Sequence, residues 1–220
     1  MGHARRLNLD AIETSLRGVQ AQFASINKTL STPRDPLSDF VLERLLLGYR
    51  RVDALLDAGL DPFAPGSSEQ ILELNLLVLC GADRSQREEC TQLVDATNER
   101  YYALGDGGIE SLVNWVRSMN GESIWRRAAS AYIHQLSQPQ LFIEGNHRTG
   151  ALIMSWMLVR AGKPPFVLSV DNAKAYFDPS TVAKNNRKHT LRMMLERPKL
   201  VKRFADLLKQ ESEKEHVLVE

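Results

Sequence analysis

The stretch Gln140–Gly150, with the apolar run Ala151–Val159 directly behind it, constrains this chain more than any other. Eleven residues hold an acid, two glycines, two amides, an imidazole and a guanidinium. The run behind them reads as a buried helix. Its start is predicted between Asn146 and Thr149, because Asn and Thr are good N-caps. The polar cluster then sits at a helix N-terminus. Free N–H groups and the positive end of the helix dipole favour anions there. Gly145 permits a tight turn or close approach to a ligand. Arg148 can grip a phosphate with two parallel hydrogen bonds. Glu144 is suited to a hard divalent cation, which takes oxygen ligands and bridges to phosphates. The expectation is a phosphate-binding loop with Gly145, Asn146, His147, Arg148, Thr149 and Gly150 around the anion.

Each residue also has a plainer reading. Phe142 can serve as a core plug. Glu144 can neutralise Arg148 or cap the helix, and Asn146 can be a simple N-cap. Arg148 can lie on a solvated face. A helix N-terminus lowers the pKa of His147, so a neutral imidazole there can act as a base, donate a hydrogen bond, or simply pack. His134, one helix earlier, is read as structural.

Phe142-x-Glu144-Gly145-Asn146-x-Arg148 resembles the core of the Fic motif, H-x-F-x-[D/E]-G-N-[G/K]-R. The match is specific over nine positions and extends by helix order over roughly residues 70–200. The resemblance implies a Fic-like helical bundle with at most a short β-hairpin flap. It implies transfer of AMP from ATP, or of another nucleotide, with Mg²⁺, onto a hydroxyl of an unidentified target protein. It also implies that Phe142 anchors the loop and that Asn146 helps hold a phosphate. The catalytic His of the family falls on Gln140, whose amide has no useful basicity near neutral pH. The position after Asn146 is His147, where the family has Gly or Lys, and a second Arg falls on Ala151. Gln140 and His147 are therefore the positions on which catalysis turns. The open readings are a catalytically dead nucleotide-sensing or protein-interaction module, a transferase with a different base, a reaction that needs no base, or a helical scaffold in which the loop only caps the central helix. Ser85-Gln86-Arg87-Glu88-Glu89-Cys90 partly matches the inhibitory pattern [S/T]-x-x-x-E-[G/N]. It ends in Cys and lacks its Arg partner, so a charged helix start explains it.

Elsewhere, apolar residues recur at helical spacing. Helices are predicted over 8–29, 37–58, from 67 or 68 to about 80, and over 84–103, 109–119 and 122–136. Another opens at Asp171-Asn172 and is expected to break at Asp178-Pro179. The last is predicted from Pro198 to Ser212, with a frayed tail from Glu213. Residues 166–168 are a weak strand candidate, and Tyr101–Gly108 is the candidate flap. Strand signal is otherwise nearly absent, so the expected class is all-α. Residues 1–66 are expected as an N-terminal helical annex and 67–220 as the core.

A net charge of +1, from 28 basic and 27 acidic residues, gives no electrostatic reason to expect nucleic acid or an anionic membrane. No apolar run reaches the roughly 18 residues a membrane span needs. The start, Met1–Arg6, lacks a secretory core and a myristoylation signal. Two cysteines give no disulfide framework, so a reduced, cytoplasmic protein is expected. A homodimer is left open.

Overall fold

The computed structural model describes residues 6–210 and 214–218. A two-residue strand, β1 (Arg6–Leu7), leads into the helices α1 (Leu9–Thr29), α2 (Asp39–Asp57), α3 (Glu69–Cys80), α4 (Arg84–Glu89) and α5 (Thr91–Tyr101). Then follow α6 (Ile109–Ser118), α7 (Ile124–Leu136), α8 (Asn146–Arg160), α9 (Ala173–Lys184) and α10 (Leu191–Gln210). A 3₁₀ turn (Lys214–His216) and a strand β2 (Val217–Leu218) close the described chain. The class is all-α, as the periodicity predicts. The two short strands pair antiparallel, with Arg6 opposite Leu218 and Leu7 opposite Val217.

Helix α8 is the centre. From Thr149 to Val159 every residue is buried, so it has no polar face and must be surrounded. It packs on α7, α2 and α3. The crossing with α2 is close at Gly48, where an added Cβ would meet Leu152 Cδ1 at 2.3 Å. The helices expected as an annex share this interior. Ile12 and Leu16 of α1, and Leu42, Tyr49 and Leu55 of α2, are buried in the same cluster as Leu152 and Met154. Each such side chain stabilises the fold by about 1.5–3 kcal/mol relative to exposure.

Several boundaries differ from the periodic reading. The single helix expected over 84–103 breaks at Cys90 into α4 and α5. Residues 102–108 form a tight turn, not a hairpin flap. An added Cβ on Gly108 would strike the Ala103 carbonyl oxygen, so the close approach within the turn requires glycine. The candidate strand 166–168 is extended but unpaired. The Phe166 carbonyl is taken instead by the Tyr49 hydroxyl (2.8 Å) and the Ser155 hydroxyl (2.7 Å). Two prolines expected to stop or start helices lie inside them. Pro179 sits within α9 and Pro198 within α10. Each removes one backbone bond, but α9 packs on α1, α7 and α10, and α10 on α7. Helix α10 instead begins near Thr190, whose Oγ1 accepts from Met193 N–H. Residues 214–218, part of the tail expected to fray, are tied to the N-terminal strand. Residues 1–5, 211–213 and 219–220 lie outside the described residues, and with them the expected helix end at Ser212 and the start of the tail at Glu213.

Candidate functional site

The polar stretch links α7 to α8. It leaves α7 at the buried Ser137 and passes the cis peptide Gln138–Pro139. At Phe142 it dives inward. That ring is 1% exposed and stacks on Tyr101, with centroids 5.6 Å apart and planes 10° apart. Phe142 is the core plug that its apolar character suggests.

The loop then closes on itself. Phe142 N–H donates to Asn146 Oδ1 at 3.1 Å, and Asn146 Nδ2 donates to the Phe142 carbonyl at 2.8 Å. One side chain thus ties both backbone groups of a residue four positions earlier. The prediction that Asn146 or Thr149 caps α8 is corrected here. The cap is Gly145, in the left-handed region at φ 73°, and Asn146 is already helical. Asn146 faces back to Phe142 and is spent on the loop. Gly145 is required for its angle and its surroundings, since a Cβ would lie 2.8 Å from Asn75 Nδ2.

Asn75 is the residue that sequence reasoning missed. It is fully buried on α3, donating to the Glu144 carbonyl (3.0 Å) and to Thr149 Oγ1 (2.9 Å). Its signal was present: a lone amide inside the apolar run 71–80, where a buried polar group needs a partner. Gln135 of α7 does similar work, donating to the Asn146 carbonyl at 2.7 Å. Thr149 and Gly150, expected around the anion, face these neighbouring helices. A Cβ on Gly150 would meet Gln135 Nε2 and the Tyr132 ring, each at 2.5 Å. Their role is close packing of α8 on α7 and α3.

Gln140 is held at both ends. Its amide donates to the Leu136 carbonyl (3.0 Å), and its own carbonyl accepts from Arg100 Nε (2.9 Å) and Nη2 (2.5 Å). Glu144 is exposed. Its carboxylate forms no direct ion pair with Arg148 among the described contacts, but its charge still acts on the Arg148 guanidinium from further off and favours the charged form. Arg148 instead donates from Nη1 to the Val78 carbonyl at 2.5 Å. Arg44 takes the neighbouring Leu79 carbonyl. Two arginines thus cover the open carbonyl end of α3, a role that suits cations. Arg148 does not stand on a solvated face.

His147 turns the other way, toward α9 and the α1–α2 connection. Its Nδ1 lies 2.9 Å from the Tyr132 hydroxyl, and its Nε2 lies 3.4 Å from Arg34 Nη1. A guanidinium only donates, so Nε2 accepts and the proton sits on Nδ1, directed at Tyr132. The Tyr176 hydroxyl donates to the His147 carbonyl at 2.9 Å. Burial, helped by the nearby charges of Arg34, Lys184 and Arg148, pushes the His147 pKa down to about 3. The imidazole is neutral, as the helix N-terminus predicts, and both its nitrogens are engaged. That geometry disfavours it as a general base. His134 is structural, as read: buried, stacked on Trp115, and 2.9 Å from Ser111 Oγ.

Beside this first turn of α8 opens a pocket of about 350 Å³. His147, Arg148 and Ala151 form one wall, Arg34 and Lys184 another, and Leu37, Val41, Leu45 and Phe177 contribute apolar surface. Arg34 hangs over the Phe177 ring (5.4 Å) and donates to Thr181 Oγ1 at 2.6 Å. Nothing local in the sequence links Arg34 to His147, 113 positions away.

Among the described residues, no group of three or more His, Cys, Asp or Glu could hold a metal by itself. No described helix is long and apolar enough to cross a membrane. Compared with family models, with curated proteins and with solved structures, the chain matches none.

Proposed function

We propose that the chain is a Fic-like protein that receives the phosphates of a nucleotide, ATP or a relative, at loop 140–150. The observation that carries this reading is the closed loop 142–146 above the first turn of α8. The first helical bond runs from Thr149 N–H to the Gly145 carbonyl. The N–H groups of Asn146, His147 and Arg148 therefore precede it and have no intrahelical acceptor. Asn146 locks the loop in place, so these donors are held in position before any ligand arrives, which lowers the cost of binding.

A Mg²⁺ ion fits this reading in a limited way. It commonly takes one or two carboxylates and fills its shell with substrate phosphates and waters. Glu144, exposed at the rim and without an ion-pair partner, is the residue that would hold it, and the ion would neutralise phosphate charge. Arg148 adds positive charge beside the first turn while it covers the end of α3.

Transfer of the nucleotide to a protein hydroxyl is the slow part of this reading. Gln140 offers an amide, and its Nε2 is already donating to the Leu136 carbonyl. His147 has both nitrogens engaged. A positioned base typically contributes about 10²- to 10⁴-fold, so binding is retained while transfer falls by that order. The function proposed is nucleotide binding with residual transfer to a protein partner.

Calorimetry with Mg²⁺ and ATP, CTP, GTP or UTP tests the reading. Saturable heat is expected with at least one nucleotide, with loss of affinity on Asn146→Ala. If none of the four binds, or if Asn146→Ala binds as tightly as the parent, the loop is not the site.

A further inference from the structure

We propose that the pocket between the α1–α2 connection, the first turn of α8 and α9 binds a second kind of ligand: a small amphipathic anion, with an acidic head and an apolar body. The site would lie beside the phosphate loop and differ from it chemically.

Three cations line the pocket: Arg34, Arg148 and Lys184. None is in an ion pair within 4.0 Å among the described residues. The one acid in the lining is Asp35, and it is exposed. Surface cations usually stand in water with carboxylates interspersed. Here they converge on a recess in which water is partly excluded, where an unmatched charge attracts an anion more strongly. Arg34 is held at the pocket wall by its Nη1, beside His147 Nε2, and its Nη2, which donates to Thr181 Oγ1.

The rest of the wall offers little to a polar ligand. Phe23, Leu37, Val41, Leu45 and Phe166 present apolar surface. The Tyr49 hydroxyl already donates to the Phe166 carbonyl, and the Tyr176 hydroxyl to the His147 carbonyl. A nucleobase would leave its ring nitrogens unpaired against such walls, which is costly. An aliphatic or phenyl body would not. The volume of about 350 Å³ is near the lower end for small-molecule sites, about 300–1,000 Å³. That suits a medium-chain or phenyl-substituted acid.

The test uses the full chain and 4-phenylbutanoate, with 4-phenylbutanamide as its uncharged twin, titrated by calorimetry. The acid is expected to bind at least tenfold more tightly than the amide. A hydrogen bond to a charged group is worth about 1.5–3 kcal/mol, so Arg34→Met is expected to weaken the acid about tenfold or more. Arg34 also braces Thr181, so Lys184→Met, at an exposed position, is measured beside it and is expected to weaken the acid about threefold. Leu37→Trp should fill the pocket and abolish binding of both compounds without removing a charge. Equal affinity for acid and amide would overturn the proposal. So would no heat with either compound at millimolar concentration, or unchanged binding in Leu37→Trp. Mg²⁺ and ATP are titrated separately, so failure of the phosphate loop and failure of this pocket give different results.

Discussion

The two flanks of the first turn of α8 treat polar groups in opposite ways. On the loop flank, polar groups are largely spent on the protein itself. Asn146 ties Phe142, Asn75 ties Glu144 and Thr149, Gln135 ties Asn146, and Arg100 ties Gln140. On the pocket flank, Arg34, Arg148 and Lys184 gather around a recess with one exposed acid between them. A flank whose bonds are satisfied internally holds a shape. A flank with unmatched charge is available to a ligand. The difference separates residues that build the site from residues that would touch what it binds. Substitutions on the first flank should register as stability, and those on the second as affinity.

The largest expected effect breaks that division on purpose. Gln140 belongs to the building flank, yet it occupies the position where the resemblance puts a base. Gln140→His should raise self-modification with labelled ATP, recovering part of the missing 10²- to 10⁴-fold. If labelling does not rise while nucleotide binding is intact, position 140 does not face the incoming hydroxyl.

Next in size is Phe142→Ala. The side chain is 1% exposed and stacked on Tyr101, so its loss should cost about 3–5 kcal/mol, the range for a buried Phe. Urea denaturation measures this directly. A cost below about 1 kcal/mol would mean that the loop does not depend on its plug. Asn75→Leu is smaller, about 1–3 kcal/mol, because the Glu144 carbonyl and the Thr149 hydroxyl lose their donor. It should weaken nucleotide binding only through the loop's shape, so a tenfold loss of affinity with unchanged stability would place Asn75 in contact with ligand.

These cases also mark what could be read from the chain beforehand. Phe142 was legible because a lone aromatic in a polar loop has few uses other than an anchor. The helices were legible because Ile12, Leu16, Val19, Phe23 and Ile26 keep one face, and all are buried. Asn75 was hidden by the apolar run around it, since its partners lie 69 and 74 positions away. Arg34 was hidden more deeply, in a proline-rich connection that reads as a plain break. Pro179 and Pro198 misled because local rules weigh one lost backbone bond, while packing of α9 and α10 decides the outcome. The cap of α8 was misplaced by one residue, because Asn146 turns its amide back to Phe142 instead of forward into the helix.

Protonation offers a graded test. The folded pKa of His147 is near 3, below its ordinary value of 6.5. The unfolded chain therefore takes up a proton that the folded chain refuses. The contribution is complete above about pH 6.5 and is lost progressively as pH falls toward 3. Between pH 7 and pH 5, where most carboxylates hold their charge, this one group should cost on the order of 2 kcal/mol. His134, pushed down to about 2 by burial and by neighbouring Lys188 and Arg197, acts in the same direction. His147→Gln should flatten the slope of stability against pH over that window by its share. An unchanged slope would show His147 already open to protonation in the folded state.

The smallest expected effect on stability separates the flanks most sharply. Glu144 lies in the loop by sequence, but its carboxylate is exposed and unpaired among the described residues, and only its backbone carbonyl is used, by Asn75. Glu144→Gln keeps that carbonyl and the shape of the side chain, so stability should change by less than about 0.5 kcal/mol, as for surface substitutions generally. Its effect should appear in ligand binding alone. If Glu144 holds Mg²⁺ against the phosphates, the parent binds ATP more tightly with Mg²⁺ than with excess chelator, and Glu144→Gln loses most of that difference while retaining the Mg²⁺-free affinity. Equal Mg²⁺ dependence in parent and variant would remove the metal from Glu144. A large stability loss would instead move Glu144 to the flank that builds.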